Sequence, residues 1–360
     1  MNALEHQLTY PLADTLPETG RTLEVAPGVR WVRMALPFAL DHINLWLLRD
    51  QINGPNGKRE GWTIVDCGIS NEATRAAWEQ VFDNELDGLP VLRVIVTHLH
   101  PDHIGLASWL TERWSGGGFE CRLWISGTDY NGARTASNPD TKATVITPAF
   151  AASHGITDPE ALQMIATRGG HYAAMVPKVP ERFRRMIDGD EIAIGGNSWR
   201  CHVGYGHAPE HISLHAPALG VLISGDMVLP RISTNVGVHE NEPEGDPLKR
   251  YLDSLERMRA LPADALVLPS HGRPFRGLHT RIDQLRSHHD DRFAEVMAAC
   301  AEAPQTAADL LPVLFKRKLD LHQTTFAMGE SIAHLNALWH AGKLVRHVDG
   351  NGVHRFSTTR

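Results

Sequence analysis

Cysteine is scarce. Cys67, Cys121, Cys201 and Cys300 are scattered over 360 residues with no C-x-x-C pair, which excludes a disulfide framework and a zinc knuckle. No run of about 18 apolar residues occurs, so no stretch reads as a membrane span. The N-terminus, MNALEHQLTYPLADTLPETG, has neither the basic nor the apolar region of a secretory signal, and a cytoplasmic protein is the expectation. Positive charge is not in excess either. A formal net charge of −7 argues against a nucleic-acid footprint over the whole surface, though it leaves room for a local patch. Internal repeats and low-complexity segments are missing as well. What remains is 42% hydrophobic and 21% charged, enough for one large core with a smaller unit beside it.

Histidine breaks this plain background. Three histidines and an aspartate crowd the stretch THLHPDHIG, residues 97–105. The preceding VLRVIV (91–96) reads as a fully buried strand. Pro101 stops it, and DHIGLASWLTERW (102–114) has the apolar spacing of a helix. The pattern therefore places His98 and His100 on one side of a strand end and Asp102 and His103 on the first helical turn. A lone histidine is usually a hydrogen-bonded core residue. Four ligand-type side chains in six positions read as a metal site. His207 in GYGHAPEH, Asp226 closing LISGD and His271 in LPSHG each stand just past an expected strand, next to glycine. The seven together suffice for two divalent ions. A water shared by two such ions is deprotonated near neutral pH and becomes a strong nucleophile, with Asp102 or Asp226 able to shuttle the proton.

The pattern H-x-H-x-D-H at 98–103, followed by His207, Asp226 and His271, resembles the metallo-β-lactamase fold hydrolases over roughly residues 22–275. The resemblance implies a four-layered αβ/βα sandwich with the site at one edge of two sheets. It implies a first ion on His98, His100 and His207, a second on Asp102, His103 and His271, and Asp226 bridging both. Asp66, in IVDCG, matches an aspartate that supports the ligands, in keeping with the need of a ligating imidazole to hand its second N–H to an acceptor. Many β-lactamases carry Cys at the position of Asp226. With Asp there all donors are nitrogen or oxygen, for which Zn²⁺ is the default and Fe or Mn is accommodated.

Two domains are expected: a catalytic one over 1–279, with a helical insertion at 129–190 covering the cleft, and a winged-helix-like one over 280–360. The latter rests on helices at 281–302, 305–318 and 323–341 followed by a hairpin at 343–357, and it resembles the appendage of a lactamase-β-like subgroup that includes endoribonucleases. From residue 304 onward seven Lys/Arg face four acids, a thin surplus for phosphate binding, so packing or a homodimer contact is the expected use. His211 is expected to support the site. Cys67 and Cys201 read as small buried hydrophobes. Asn235 is placed beside the cleft, and Tyr172 and Met175 belong to an apolar roof that also contains Tyr130, Arg168 and His171. The leading functional reading is a dinuclear metal hydrolase of a small carbonyl compound, a thioester, ester or lactone. A metal-dependent endoribonuclease or phosphodiesterase is the alternative, and a mononuclear iron thiol dioxygenase using only His98, His100 and His207 is a further one. A catalytically silent fold is disfavoured because no ligand position is missing.

Overall fold

The computed structural model describes residues 2–54, 57–141, 146–167 and 170–359; Arg168 lies outside them. A seven-stranded sheet runs in chain order through β1 (Thr22–Ala26), β2 (Val29–Ala35), β3 (His42–Gly54), β4 (Gly57–Val65), β5 (Val91–Ile95), β6 (Arg122–Ser126) and β7 (Phe183–Met186). Its first four strands pair antiparallel and β4 to β7 parallel. A five-stranded sheet contains β8 (Glu191–Ile194), β9 (Asn197–Gly204), β10 (His211–Ala216), β11 (Val221–Gly225) and β12 (Leu266–Pro269), in the order β12-β11-β10-β9-β8.

Strand alternation builds the layers. In β3, Ile43, Leu45 and Leu47 face a helix layer, while Trp46 and Leu48 face the second sheet. Between the sheets Trp31, Trp46, Val65 and Ile95 pack with Trp199, Ile212, Leu214 and Leu268. Outside the first sheet lie α1 (Glu72–Glu85), α2 (Pro101–Ile104), α3 (Ala107–Arg113) and α4 (Gly127–Ala136). Then come α5 (Pro148–Ser153), α6 (Pro159–Ala166), α7 (His171–Met175) and, against the second sheet, α8 (Pro247–Met258). The αβ/βα sandwich is the architecture expected from the sequence. No described helix is long and apolar enough to cross a membrane.

The C-terminal segment comprises α9 (Leu278–Glu302), α10 (Leu311–Leu314), α11 (Leu321–His340) and the hairpin β13 (Leu344–Val348)–β14 (His354–Thr358). The middle helix is far shorter than the 305–318 expected. Gln305 instead pairs with Phe356, exchanging backbone hydrogen bonds of 2.8 Å in both directions, so tertiary pairing claims the residues that helical spacing had assigned. Val236, Leu248 and Tyr251 share one continuous apolar cluster with Ile282, Val296, Leu310 and Ile332. Phe150 of α5 and Ile165 of α6 are buried in that same cluster, so much of the insertion's apolar surface packs against the C-terminal helices.

Candidate metal centre

Strand direction gathers the site. β9, β11 and β12 run the same way, because β10 is antiparallel to both β9 and β11 while β11 and β12 are parallel. Their carboxyl ends carry His207, Asp226 and His271. The end of β5 meets them through the Ile212 N–H, which donates to the Thr97 carbonyl at 2.8 Å. β5 stops at Ile95, so His98 and His100 sit on a loop rather than on the strand end that alternation suggested. The expected single helix divides at Gly105, where an added Cβ would lie 2.5 Å from the Pro101 carbonyl oxygen and 2.7 Å from the Ser70 nitrogen.

All seven expected ligands converge in two groups, His98 with His100, His207 and Asp226, and Asp102 with His103 and His271, each with potential ligand atoms within 4.8 Å of one another. In the first, His98 Nε2 lies 2.8 Å from His100 Nδ1, which lies 3.0 Å from His207 Nε2, itself 3.1 Å from His98 Nε2. Asp226 spans the groups. Its Oδ2 is 3.2 Å from His207 Nε2, and its Oδ1 is 3.7 Å from His103 Nε2 and 3.5 Å from His271 Nε2. Asp102 Oδ2 closes the second group at 3.7 Å from His103 and 3.5 Å from His271.

The far sides of the rings explain why a cation fits. His207 Nδ1 donates to the Asn235 carbonyl (2.8 Å), His271 Nδ1 to the His42 carbonyl (2.8 Å) and His103 Nδ1 to Asp66 Oδ2 (2.8 Å). Each proton is thereby fixed on Nδ1, and each Nε2 turns a lone pair inward. His103 Nε2 and Asp226 Oδ1 are buried without hydrogen-bond partners among the described residues. Inward lone pairs and an orphaned carboxylate oxygen are a costly arrangement unless a cation meets them. Burial and neighbouring rings hold His98 and His100 well below the ordinary imidazole range, which keeps them neutral donors. At His103 burial opposes protonation, but the carboxylates of Asp66, Asp102 and Asp226 outweigh it and raise its pKa, so they favour a positive charge at Nε2 that a bound cation would supply in place of a proton.

Supporting residues fall partly where the sequence placed them. Asp66, buried in the left-handed region at φ 63°, accepts from Thr97 N at 2.8 Å and from the Thr97 hydroxyl at 2.9 Å besides His103. His211 Nε2 accepts the Asp226 N–H at 3.0 Å, and burial lowers its pKa to about 3, consistent with an unprotonated acceptor. Asn235 borders the site, but its side-chain amide points to Glu330 (3.4 Å). The Tyr172 hydroxyl donates to the Leu99 carbonyl between two candidate ligand histidines, and Tyr172 and Met175 pack on the helix-layer core of the first sheet. Asp129 escaped sequence reasoning. Its carboxylate accepts from Leu99 N at 2.9 Å and Glu210 N at 2.8 Å, clamping the loop of His98 and His100 to that of His207. The S-x-x-D pattern at Ser126–Asp129 was the available signal, since it caps α4.

The model of the metallo-beta-lactamase superfamily matches residues 41–271. The chain belongs to that superfamily. A second model, metallo-beta-lactamase-like C-terminal domain, matches residues 293–359. Within the superfamily, the structure of a beta-lactamase domain protein from Burkholderia ambifaria is similar at a TM-score of 0.93 and 57% identity, covering 99% of this chain and 100% of that one. The probable metallo-hydrolase YqjP of Bacillus subtilis (strain 168) is 25% identical over 90% of this chain and 96% of its own length. A linear primary-alkylsulfatase of Pseudomonas sp. (strain ATCC 19151) is 27% identical over 235 residues, 64% of this chain but 43% of that protein. The chain is thus a metallo-hydrolase of the metallo-beta-lactamase superfamily with a His/Asp cluster that could hold metal.

Proposed function

We propose that this metallo-beta-lactamase superfamily member is a dinuclear hydrolase of small carbonyl compounds: thioesters, esters or lactones. The observation that carries the dinuclear reading is Asp226, whose two oxygens face different ligand groups, Oδ2 toward His207 and Oδ1 toward His103 and His271. Two divalent ions bound there, Zn²⁺ by default and Fe or Mn by the same donor chemistry, supply Lewis acidity and bring coordinated water within reach of deprotonation at neutral pH. The residues supply the rest. Asn235, His42 and Asp66 fix the orientation of three imidazoles, and Asp129 fixes the spacing of the loops that carry the ligands. Asp102, with 20% of its side chain exposed against 9% for Asp226, is the carboxylate placed to pass a proton to a leaving group.

The acidic net charge of −7 supports a small, weakly charged substrate over a polyanion. The similarity to an alkylsulfatase supports a second reading, hydrolysis of a sulfate monoester. A substrate panel on the metal-loaded chain separates these: aryl and acyl esters, thioesters, lactones, an alkyl sulfate and an aryl phosphodiester. The carbonyl reading expects kcat/KM for esters, thioesters or lactones to exceed the others by about 100-fold, a transition-state preference of some 2.7 kcal/mol. Turnover confined to the sulfate or the phosphodiester would overturn it.

A further inference from the structure

The loop after Asp226 has a holder outside both sheets. Asn235, on that loop, receives the His207 Nδ1 proton on its carbonyl. Two residues on, the backbones of Gly237 and Gly329 meet: a Cβ on Gly237 would lie 3.4 Å from the Gly329 Cα. On Gly329 it would lie 3.2 Å from the Val238 carbonyl oxygen. This approach lets Val238 N–H donate to the Gly329 carbonyl at 3.0 Å. It also brings the next helical residue, Glu330, to the loop, where its Oε2 accepts from Asn235 Nδ2 at 3.4 Å. Val236 and Val238 are buried with Met328 and Ile332 of α11. The contact is therefore a packed joint with a polar link at its edge. One face of Asn235 holds a metal-site imidazole and the other is held by the C-terminal helix.

We propose that Glu330 is a positioning residue of the metal centre: acting through Asn235, it sets the orientation of His207, so that the C-terminal helix forms part of the site rather than an appendage to it. The proposal rests on the reading of His207 as a metal ligand. A residue that orients a ligand in this way is worth about 10- to 100-fold in metal affinity. Glutamine at position 330 keeps an oxygen for the Asn235 amide, whereas alanine does not. Alanine at position 235 keeps the backbone carbonyl but cuts the link.

The test is metal affinity of the full-length chain, measured by Co²⁺ absorption and chelator competition, for the wild type, Glu330→Ala, Glu330→Gln, Asn235→Ala and the Glu330→Ala/Asn235→Ala double variant, with His207→Ala as reference. The expected result is that Glu330→Ala and Asn235→Ala each weaken one of two ions about tenfold. The double variant should lose no more than either single one, and Glu330→Gln should bind like the wild type. Should Glu330→Ala not fold, Asn235→Ala decides alone. Wild-type affinity in Asn235→Ala or in a folded Glu330→Ala, with His207→Ala impaired, overturns the positioning role while the metal reading stands. A wild-type chain that takes up no metal, or a His207→Ala chain that binds as tightly as the wild type, overturns both.

Discussion

Replacing Asp129 with alanine probes how the two ligand loops are held together. The carboxylate is fully buried and accepts from two backbone amides, Leu99 at 2.9 Å and Glu210 at 2.8 Å, and from the Ser126 hydroxyl at 3.0 Å. Alanine leaves two buried N–H groups without an acceptor, at about 1–3 kcal/mol each. Part of that loss is returned, because burial raises the Asp129 carboxyl from 3.8 to about 6, so the charged form is itself costly to keep inside. The net loss is therefore about 2–6 kcal/mol where the carboxyl is protonated, and about 3 kcal/mol smaller near neutral pH. A folded pKa above the unfolded one means that the stabilisation is fully present below about pH 3.8 and fades as pH rises through about 6. Asp129→Ala should therefore be more damaging at pH 5 than at pH 8. Urea denaturation of the chelator-treated chain at both pH values measures this without metal linkage adding to the stability. Asp129→Asn, which keeps one acceptor oxygen, should lose about half as much. No measurable loss at pH 5, or a loss that grows toward pH 8, would refute the clamp.

Gly225→Ala should remove both fold stability and metal uptake, because position 225 has φ 55° and an added Cβ would lie 2.3 Å from His211 Nε2. A cost of about 2–5 kcal/mol is expected from strain and overpacking, and a melting temperature unchanged from the wild type would contradict it. Glu330 gives a second pH signature. Burial raises its carboxyl from 4.5 to about 7, against the Asn235 hydrogen bond and the Arg292 charge. Its stabilisation is complete below about pH 4.5 and lost as pH rises through about 7. Glu330→Gln should thus melt higher than the wild type at pH 8 and not at pH 4, and parallel melting curves across that range would count against the assignment.

The clustering of the candidate ligands was legible because their chemistry is local: His98, His100, Asp102 and His103 fall in one turn of chain, and His207, Asp226 and His271 each follow a strand. The supports were legible where they lie close in sequence to a candidate ligand or a strand end, as Asp66 and His211 do. Asp129 reaches its partners across 30 and 81 positions, and Glu330 meets Asn235 across 95, separations at which spacing carries no signal. β10 was not read as a strand because His211, Ser213 and His215 interrupt its apolar pattern, yet all three are buried. β7 hid behind Arg184 and Arg185, which it can carry as an edge strand. The Gly-, Pro- and Asn-rich INGPNGK (52–58) reads as a turn in the sequence, yet β3 runs to Gly54 and β4 starts at Gly57; residues 55 and 56 lie outside the described residues.

Elemental analysis of the chain purified without chelator, beside its Asp226→Ala variant, tests the central claim most directly. Two ligand groups sharing one carboxylate predict about two divalent ions per wild-type chain, and a folded Asp226→Ala chain that holds fewer and does not turn over substrate. One iron per chain with no second metal, or an Asp226→Ala chain with both ions and full turnover, would contradict it.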